Sequence, residues 1–253
     1  MPSPIAPRRT HTASTANTAP TPRSFKYYDF IMAAFVTVLL CSNLIGAAKA
    51  AQVTLPVFGT VTFGADLLFF PISYIFSDIL TEVYGYGRDR RVVWAGFGAL
   101  IFAAFMSTIV VHLPSANNAF MAQYQPHLEA VFSNTPRIVA GSIIAFCCGS
   151  FVNSYLMAKM KVMTQGRYLW TRTVGSTIGG QLVDTGLFFA IAFYGIWPND
   201  QLMAVVVTQY LFKTIWEIII TPVTVRVIGF LKRAEGEDFY DRSTNFSPFS
   251  LKL

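Results

Sequence analysis

The chain has 253 residues, of which 53% are hydrophobic and only 13% charged, and its mean hydropathy is +0.48. A soluble domain carries roughly 25% charged residues, so this shortage of solvated side chains excludes an ordinary soluble enzyme. Disordered, collagen-like and coiled-coil chains are excluded by the 23 Phe residues and by apolar runs too long for a heptad seam. An all-α integral membrane protein remains.

Residues 1–26 are rich in Pro, Thr, Ala and Ser, carry Arg8, Arg9, Arg23 and Lys26, and lack the apolar core of a cleavable signal peptide. They are expected to form a disordered cytoplasmic tail. An organellar transit peptide is the alternative, weakened by the absence of an amphipathic period. The remainder divides into a six-helix transmembrane domain over 27–233 and a cytoplasmic C-terminal tail over 234–253, whose Glu235, Glu237, Asp238 and Asp241 mix with Arg242 and Lys252.

A transmembrane helix needs about 20 mostly apolar residues. The first such run is Tyr27–Ala48. It holds Asn43, either an amide that glues helices or a site residue. The following stretch, 52–64, alternates partly around Gly59 and is expected to form a short β-hairpin-like outer loop between helices 1 and 2.

The second run is Asp66–Tyr86. Tyr74, Asp78 and Glu82 recur every four residues on one face, Phe69 and Phe70 stand near them, and Pro71 is expected to kink or break the helix. A helical rise of about 1.5 Å per residue carries Asp78 to mid-depth. Glu82 falls close to the cytoplasmic interface, where a charge needs no partner. The third run is Val92–Leu113, and the 114–134 stretch after it, which has no basic residue, is a candidate cap over the outer end.

The fourth run, Thr135–Lys159, opens with Arg137, which either snorkels to the interface or lines a site. The fifth, Thr173–Trp197, places Thr177, Gln181 and Asp184 on one face and contains the small-residue pair Gly175 and Gly179, a close-packing signature. The sixth, Leu202–Leu231, contains Lys213 and Glu217 four apart, with Trp216 beside them. Here the bland reading is an intrahelical ion pair.

Orientation follows from Lys and Arg. Fifteen of them fall in the N-terminal tail, in the connections around 88–91 and 159–172, and from Lys232 to the C-terminus, against Lys49 alone on the other side. Both termini are therefore expected in the cytoplasm, and the net charge of +6 becomes a topology signal that leaves no case for nucleic acid as a partner. Cys41, Cys147 and Cys148 all sit in apolar runs with no metal spacing, and the three histidines lie in a tail or near outer loops. No P-loop, HExxH or GxSxG is present, so neither an enzyme, a metal site nor a bound cofactor is indicated.

Ionisable groups inside spans cost at least about 2.5 to 3.5 kcal/mol each, so they face a cavity or a partner. Asn43, Phe70, Tyr74, Asp78, Arg137, Gln181, Asp184, Lys213, Trp216 and Glu217 together describe a polar, aromatic-lined cavity at mid-depth, the construction of a solute site. Carboxylates and amides would read the edge of a planar, hydrogen-bonding solute, and the aromatic rings would stack on it.

The runs Ser42-Asn43, Phe70-Pro71, Ser77 through Gly85, Arg137 with Ser142, Ser176-Thr177 through Gln181, Asp184-Thr185 and Phe212-Lys213 resemble the queuosine precursor transporter family, also described as vitamin uptake transporters. The resemblance covers roughly 27–233. It implies a six-helix carrier of the cell inner membrane that imports 7-cyano-7-deazaguanine, with 7-aminomethyl-7-deazaguanine as a second candidate, for the tRNA modification queuosine. Asp184 or Asp78 would accept the paired donors of a guanine-like edge, with Gln181 and Asn43 completing it.

Without an ATP motif, the expected mechanism is secondary transport with a proton as candidate coupling ion. The alternatives are a substrate-binding subunit that borrows an ATPase, and a non-transporting membrane scaffold. A homodimer through the glycine face and packing of that face within one chain are equally open.

Overall fold

The computed structural model describes residues 25–46, 50–55, 59–132, 136–196 and 198–250. The N-terminal tail up to Ser24, and Lys49, Thr135 and Trp197 at span ends, lie outside the described residues. The described chain is built from helices α1 (Tyr28–Cys41), α2 (Phe70–Ile79), α3 (Tyr86–His112), α4 (Ala119–Phe132), α5 (Pro136–Met163), α6 (Leu169–Phe193) and α7 (Asn199–Glu235). Strands β1 (Ala50–Leu55) and β2 (Gly59–Gly64) lie between α1 and α2 and pair antiparallel, from Ala50 opposite Gly64 to Leu55 opposite Gly59. Residues 56–58, which join them, are outside the described residues.

Five helices among the described residues are long and apolar enough to cross a membrane: 28–45, 86–112, 137–163, 169–193 and 202–235. Their outer faces present Phe102, Phe105, Leu211, Ile219 and Phe230 to the surroundings. In water, apolar patches of that extent would drive association, whereas in lipid they are solvated and the helical backbone satisfies itself. The chain is a multi-pass membrane protein.

The expected second span is not a single α-helix. Residues Ala65–Leu68 form a 3-10 turn, α2 starts at Phe70, and Leu80–Tyr84 is π-wound. Pro71 lies in the first turn of α2, where its missing N–H costs nothing, so it starts the helix and does not kink it. Gly85, at φ +90°, turns the chain directly into α3. A Cβ there would lie 2.2 Å from the Phe239 ring, so both backbone and space require glycine. Because α3 begins at Tyr86, Arg88, Arg90 and Arg91 belong to its first turns and not to a loop. The 114–134 stretch contains α4, an exposed helix with no buried residue.

Phe35 and Leu39 of α1, Leu80 and Val83 of the π turn, Val92 and Val93 of α3, Phe146 of α5 and Ile228 of α7 form the apolar core. A close backbone approach joins α5 to α6 through Gly149 and Gly180: a Cβ on either would lie 3.0 Å from the other's carbonyl oxygen. Gly175 and Gly179, the pair evident in the sequence, face the flexible side chains of Met160 and Leu156 on α5 of the same chain. The small-residue groove is thus filled intramolecularly.

Residues 236–250 pack onto the end of the bundle where α2 meets α3. Asp241 accepts a hydrogen bond from the Tyr86 backbone N–H (3.1 Å), Arg90 donates to the carbonyls of Asn245 and Ser247 (2.7 Å each), and the Trp94 indole donates to that of Pro248 (2.7 Å). A charge-rich tail is expected to be solvated. This one instead carries Phe239, Phe246 and Phe249, and Phe246 and Phe249 pack against Tyr86 and Trp94 with ring centroids 5.1 and 6.1 Å apart.

Candidate functional site

A cleft of about 730 Å³ opens among the π-wound end of the first span and one end each of α3, α5, α6 and α7. That volume is in the range of small-molecule sites. At the end of α1 the helix widens into a π turn, Ser42–Gly46, which places Asn43 on the cleft wall. Such turns are frequent at functional sites because they re-aim a side chain without breaking the helix. The Asn43 side-chain oxygen accepts from Ser142 of α5 (2.8 Å) and its amide donates to the Leu39 carbonyl (3.0 Å), so its orientation is fixed.

Asp184 of α6 and Lys213 of α7 also line the cleft, and Lys213 Nζ donates to Asp184 Oδ2 at 3.0 Å. Their side chains are 4% and 10% exposed, so the pair is nearly dehydrated and its attraction little screened. Phe188, Phe189 and Gln209 complete the wall. The arrangement offers a planar solute a charge pair, an oriented amide and aromatic faces.

Asn43, Asp184 and Lys213 are the expected site residues that the fold brings together in the cleft. Tyr74, Asp78, Gln181 and Glu217 are buried behind it. Tyr74 wedges into the α5–α6 crossing: a Cβ on Gly149 would lie 2.8 Å from its hydroxyl and 2.7 Å from the Asp184 Cβ, and a Cβ on Gly180 3.1 Å from its ring. Arg137 donates to the carbonyls of Ile191 (2.5 Å) and Tyr194 (2.6 Å), closing the end of α6. Trp216 is partly exposed on the outer face of α7, and the side chain of Phe70 lies outside the described residues. Gln209 and Phe188 stand one helical turn from Lys213 and Asp184, so extending each polar stripe by four residues would have found them.

Two polar clusters lie away from the cleft. Asp89 of α3, flanked by arginines in sequence, is fully buried and accepts from Ser77 (3.2 Å) and, closely, from Ser154, while Asn153 donates to Asp78 (2.8 Å). The other cluster centres on Glu82, also fully buried. Its carboxylate accepts from Arg172 (2.7 Å) and Lys232 (2.5 Å), and Lys161 donates to its backbone carbonyl (2.6 Å). Asp238 of the tail joins Lys161 and Lys232 at 2.6 and 2.8 Å. Partial burial acts to raise the Asp238 carboxyl, but the two lysine hydrogen bonds outweigh it and hold the group below its ordinary value of 3.8. Glu82, expected close to the cytoplasmic interface, is aimed inward by the π turn at Lys161, Arg172 and Lys232. Arg172 and Asp184 are twelve residues apart on α6, so the ionic cluster and the cleft are separated by about 18 Å of helix.

A family model described as "Putative vitamin uptake transporter" matches residues 64–227, which include α2, α3, α5, α6 and most of α7. The chain belongs to this transporter family. The vitamin uptake transporter family is named for transport and not for an enzymatic reaction. The chain is 31% identical over 186 residues to the "Probable queuosine precursor transporter" of Bacillus subtilis (strain 168), covering 73% of this chain and 76% of that one. It is 24% identical over 155 residues to the "Queuosine precursor transporter" of Escherichia coli (strain K12), covering 59% and 65%. No solved structure matches.

Proposed function

We propose that this chain is a secondary importer of queuosine precursors, 7-deazaguanine-type bases such as 7-cyano-7-deazaguanine, across the inner membrane. The Asp184–Lys213 pair in the wall of the cleft is the observation that carries this reading. A carboxylate and an ammonium 3.0 Å apart offer an acceptor and a donor to the edge of a guanine-like base, which exposes both kinds of group. Asn43 and Gln209 extend the polar edge, and Phe188 and Phe189 supply surface for the ring faces. The names of the two relatives support the substrate class.

With 65–84 counted as a second crossing beside the five long helices, the chain has six crossings and both termini in the cytoplasm. The gathering of Lys161, Arg172 and Lys232 at one end of the bundle supports this orientation on the positive-inside rule. The cleft then opens outward, and the Glu82 cluster with the C-terminal tail closes the cytoplasmic side.

Uptake of labelled 7-cyano-7-deazaguanine in cells unable to make it tests the reading. Wild type restores accumulation, whereas Asp184→Asn reduces it by about tenfold or more, the loss expected for one charge-assisted contact. Wild-type uptake by Asp184→Asn removes the site, and absence of uptake by the unaltered chain removes the function.

A further inference from the structure

Behind the cleft, the buried charges divide into two groups. Asp184 has Lys213. Asp78 and Glu217, 0% and 1% exposed, make no ion pair among the described residues, and Glu217 lies in the electrostatic field of Asp78. Neither oxygen of Glu217 accepts a hydrogen bond, and Asp78 Oδ2 accepts none, its other oxygen being held by Asn153. Asn153 Oδ1, beside Asp78, and Gln181 Oε1 and Thr177 Oγ1 of α6 are likewise buried with no hydrogen bond made. The bundle interior thus holds two buried acids and unengaged oxygen atoms, with no cation paired to either acid among the described residues.

Two uncompensated carboxylates within electrostatic reach of one another in a low-dielectric bundle are strongly unfavourable unless a cation joins them. Oxygen-only ligands select hard cations. Among the described residues no three His, Cys, Asp or Glu side chains are grouped to hold a metal, and two acids that share one site can hold a single proton or small cation between them.

We propose that Asp78 and Glu217 form a monovalent-cation site, for Na⁺ or H⁺, separate from the solute cleft and coupled to it. Tyr74 is the physical link. Its phenol lies in the field of Asp184, Glu217 and Asp78, and it packs at the Gly149–Gly180 crossing that also positions Asp184. Asp89 and Glu82 act on Asp78 from the closed end, and Lys213 is engaged by Asp184 on the cleft side. Loading the site therefore changes the charge next to the ring that braces the substrate carboxylate, which is a coupling between two sites in the thermodynamic sense. The inference rests on the transport reading above and assigns it a driving ion.

The test uses the purified full chain in vesicles with 7-cyano-7-deazaguanine, under an imposed Na⁺ gradient or an imposed pH gradient. One-to-one coupling to a tenfold gradient supports about tenfold accumulation in wild type. Glu217→Gln and Asp78→Asn are expected to collapse accumulation to the equilibrium level while retaining substrate exchange with no gradient. Asp184→Asn is expected to lose both. The gradient that drives wild type identifies the ion. Undiminished accumulation by Glu217→Gln overturns the proposal, and so does loss of exchange in a Glu217→Gln protein whose thermal unfolding matches wild type.

A substrate-free measurement separates this site from the substrate reading. Wild type is expected to gain thermal stability on adding Na⁺, or to show a carboxylic-acid C=O infrared band in its absence, and Glu217→Gln to abolish that signal. If wild type exchanges no 7-cyano-7-deazaguanine but keeps this signal, the substrate reading fails and the cation site stands. If neither signal exists, the cation site is refuted.

Discussion

Replacing Lys213 by Met tests the pairing on which the cleft depends. The substitution keeps all but the last atom's length of the side chain and removes its charge, leaving Asp184 with a side chain 4% exposed and without the lysine. Breaking a buried pair by removing one partner costs about 3–5 kcal/mol. The independent cost of an Asp within a span, about 2.5–3.5 kcal/mol, places the expected loss near 3 kcal/mol. Adding Asp184→Asn to Lys213→Met removes that charge and should recover about 2 kcal/mol of that loss, a coupling typical of side chains in direct contact. Adding Glu217→Gln instead should recover little, because Lys213 meets Asp184 across two helices. Thermal or denaturant unfolding of the purified single and double variants in mild detergent measures all three. Recovery by Glu217→Gln and not by Asp184→Asn would restore the intrahelical pair suggested by the sequence and refute the cross-helix geometry.

At the α5–α6 crossing, Gly149→Ala places a methyl group 2.7 Å from the Asp184 Cβ and 3.0 Å from the Gly180 carbonyl, and is expected to cost about 1–3 kcal/mol and to lower uptake. Gly98→Ala, where a Cβ meets nothing within 4 Å, is expected to be neutral or to stabilise α3 by up to about 1 kcal/mol; equal unfolding temperatures for the two variants would contradict the packing. Asp238→Asn is expected to lower the unfolding temperature slightly at neutral pH, since the side chain is 44% exposed and its lysine contacts are screened. Because its folded value lies below 3.8, the stability that Asp238 adds is fully present above 3.8 and is lost as pH falls through the folded value. The difference from wild type should therefore vanish only in strong acid, and its disappearance at mildly acidic pH would remove the lysine contacts as its cause.

Much of the fold is legible in the sequence because a bilayer imposes a length and a polarity that periodicity reports directly. The runs around α1, α3, α5, α6 and α7 are each long enough to be recognised alone. The segment 65–84 is recognisable as a run, but its division is not, since its 3-10, α and π pieces have similar composition and differ only in hydrogen-bond register. Asp184, Lys213 and Asn43 were recoverable as polar groups where apolar ones belong. Asp89 was not, because neighbouring arginines give it the appearance of a solvated turn, and its serine partners are 12 and 65 residues away.

By itself the sequence determined a multi-pass helical transporter and the polar residues that its spans must shelter, since each charge in lipid carries a cost visible from its position alone. Only the tertiary structure decided which charges meet. Lys213 turned from Glu217 on its own helix to Asp184 on another, Glu82 became the centre of a buried ionic cluster, and the C-terminal tail became a cover. The physical reason is that ion pairing and hydrogen bonding are decided within a few ångströms, and the helix crossing at Gly149 and Gly180 and the turn at Gly85 set those ångströms for residues as much as 160 positions apart, as Tyr86 and Phe246 are.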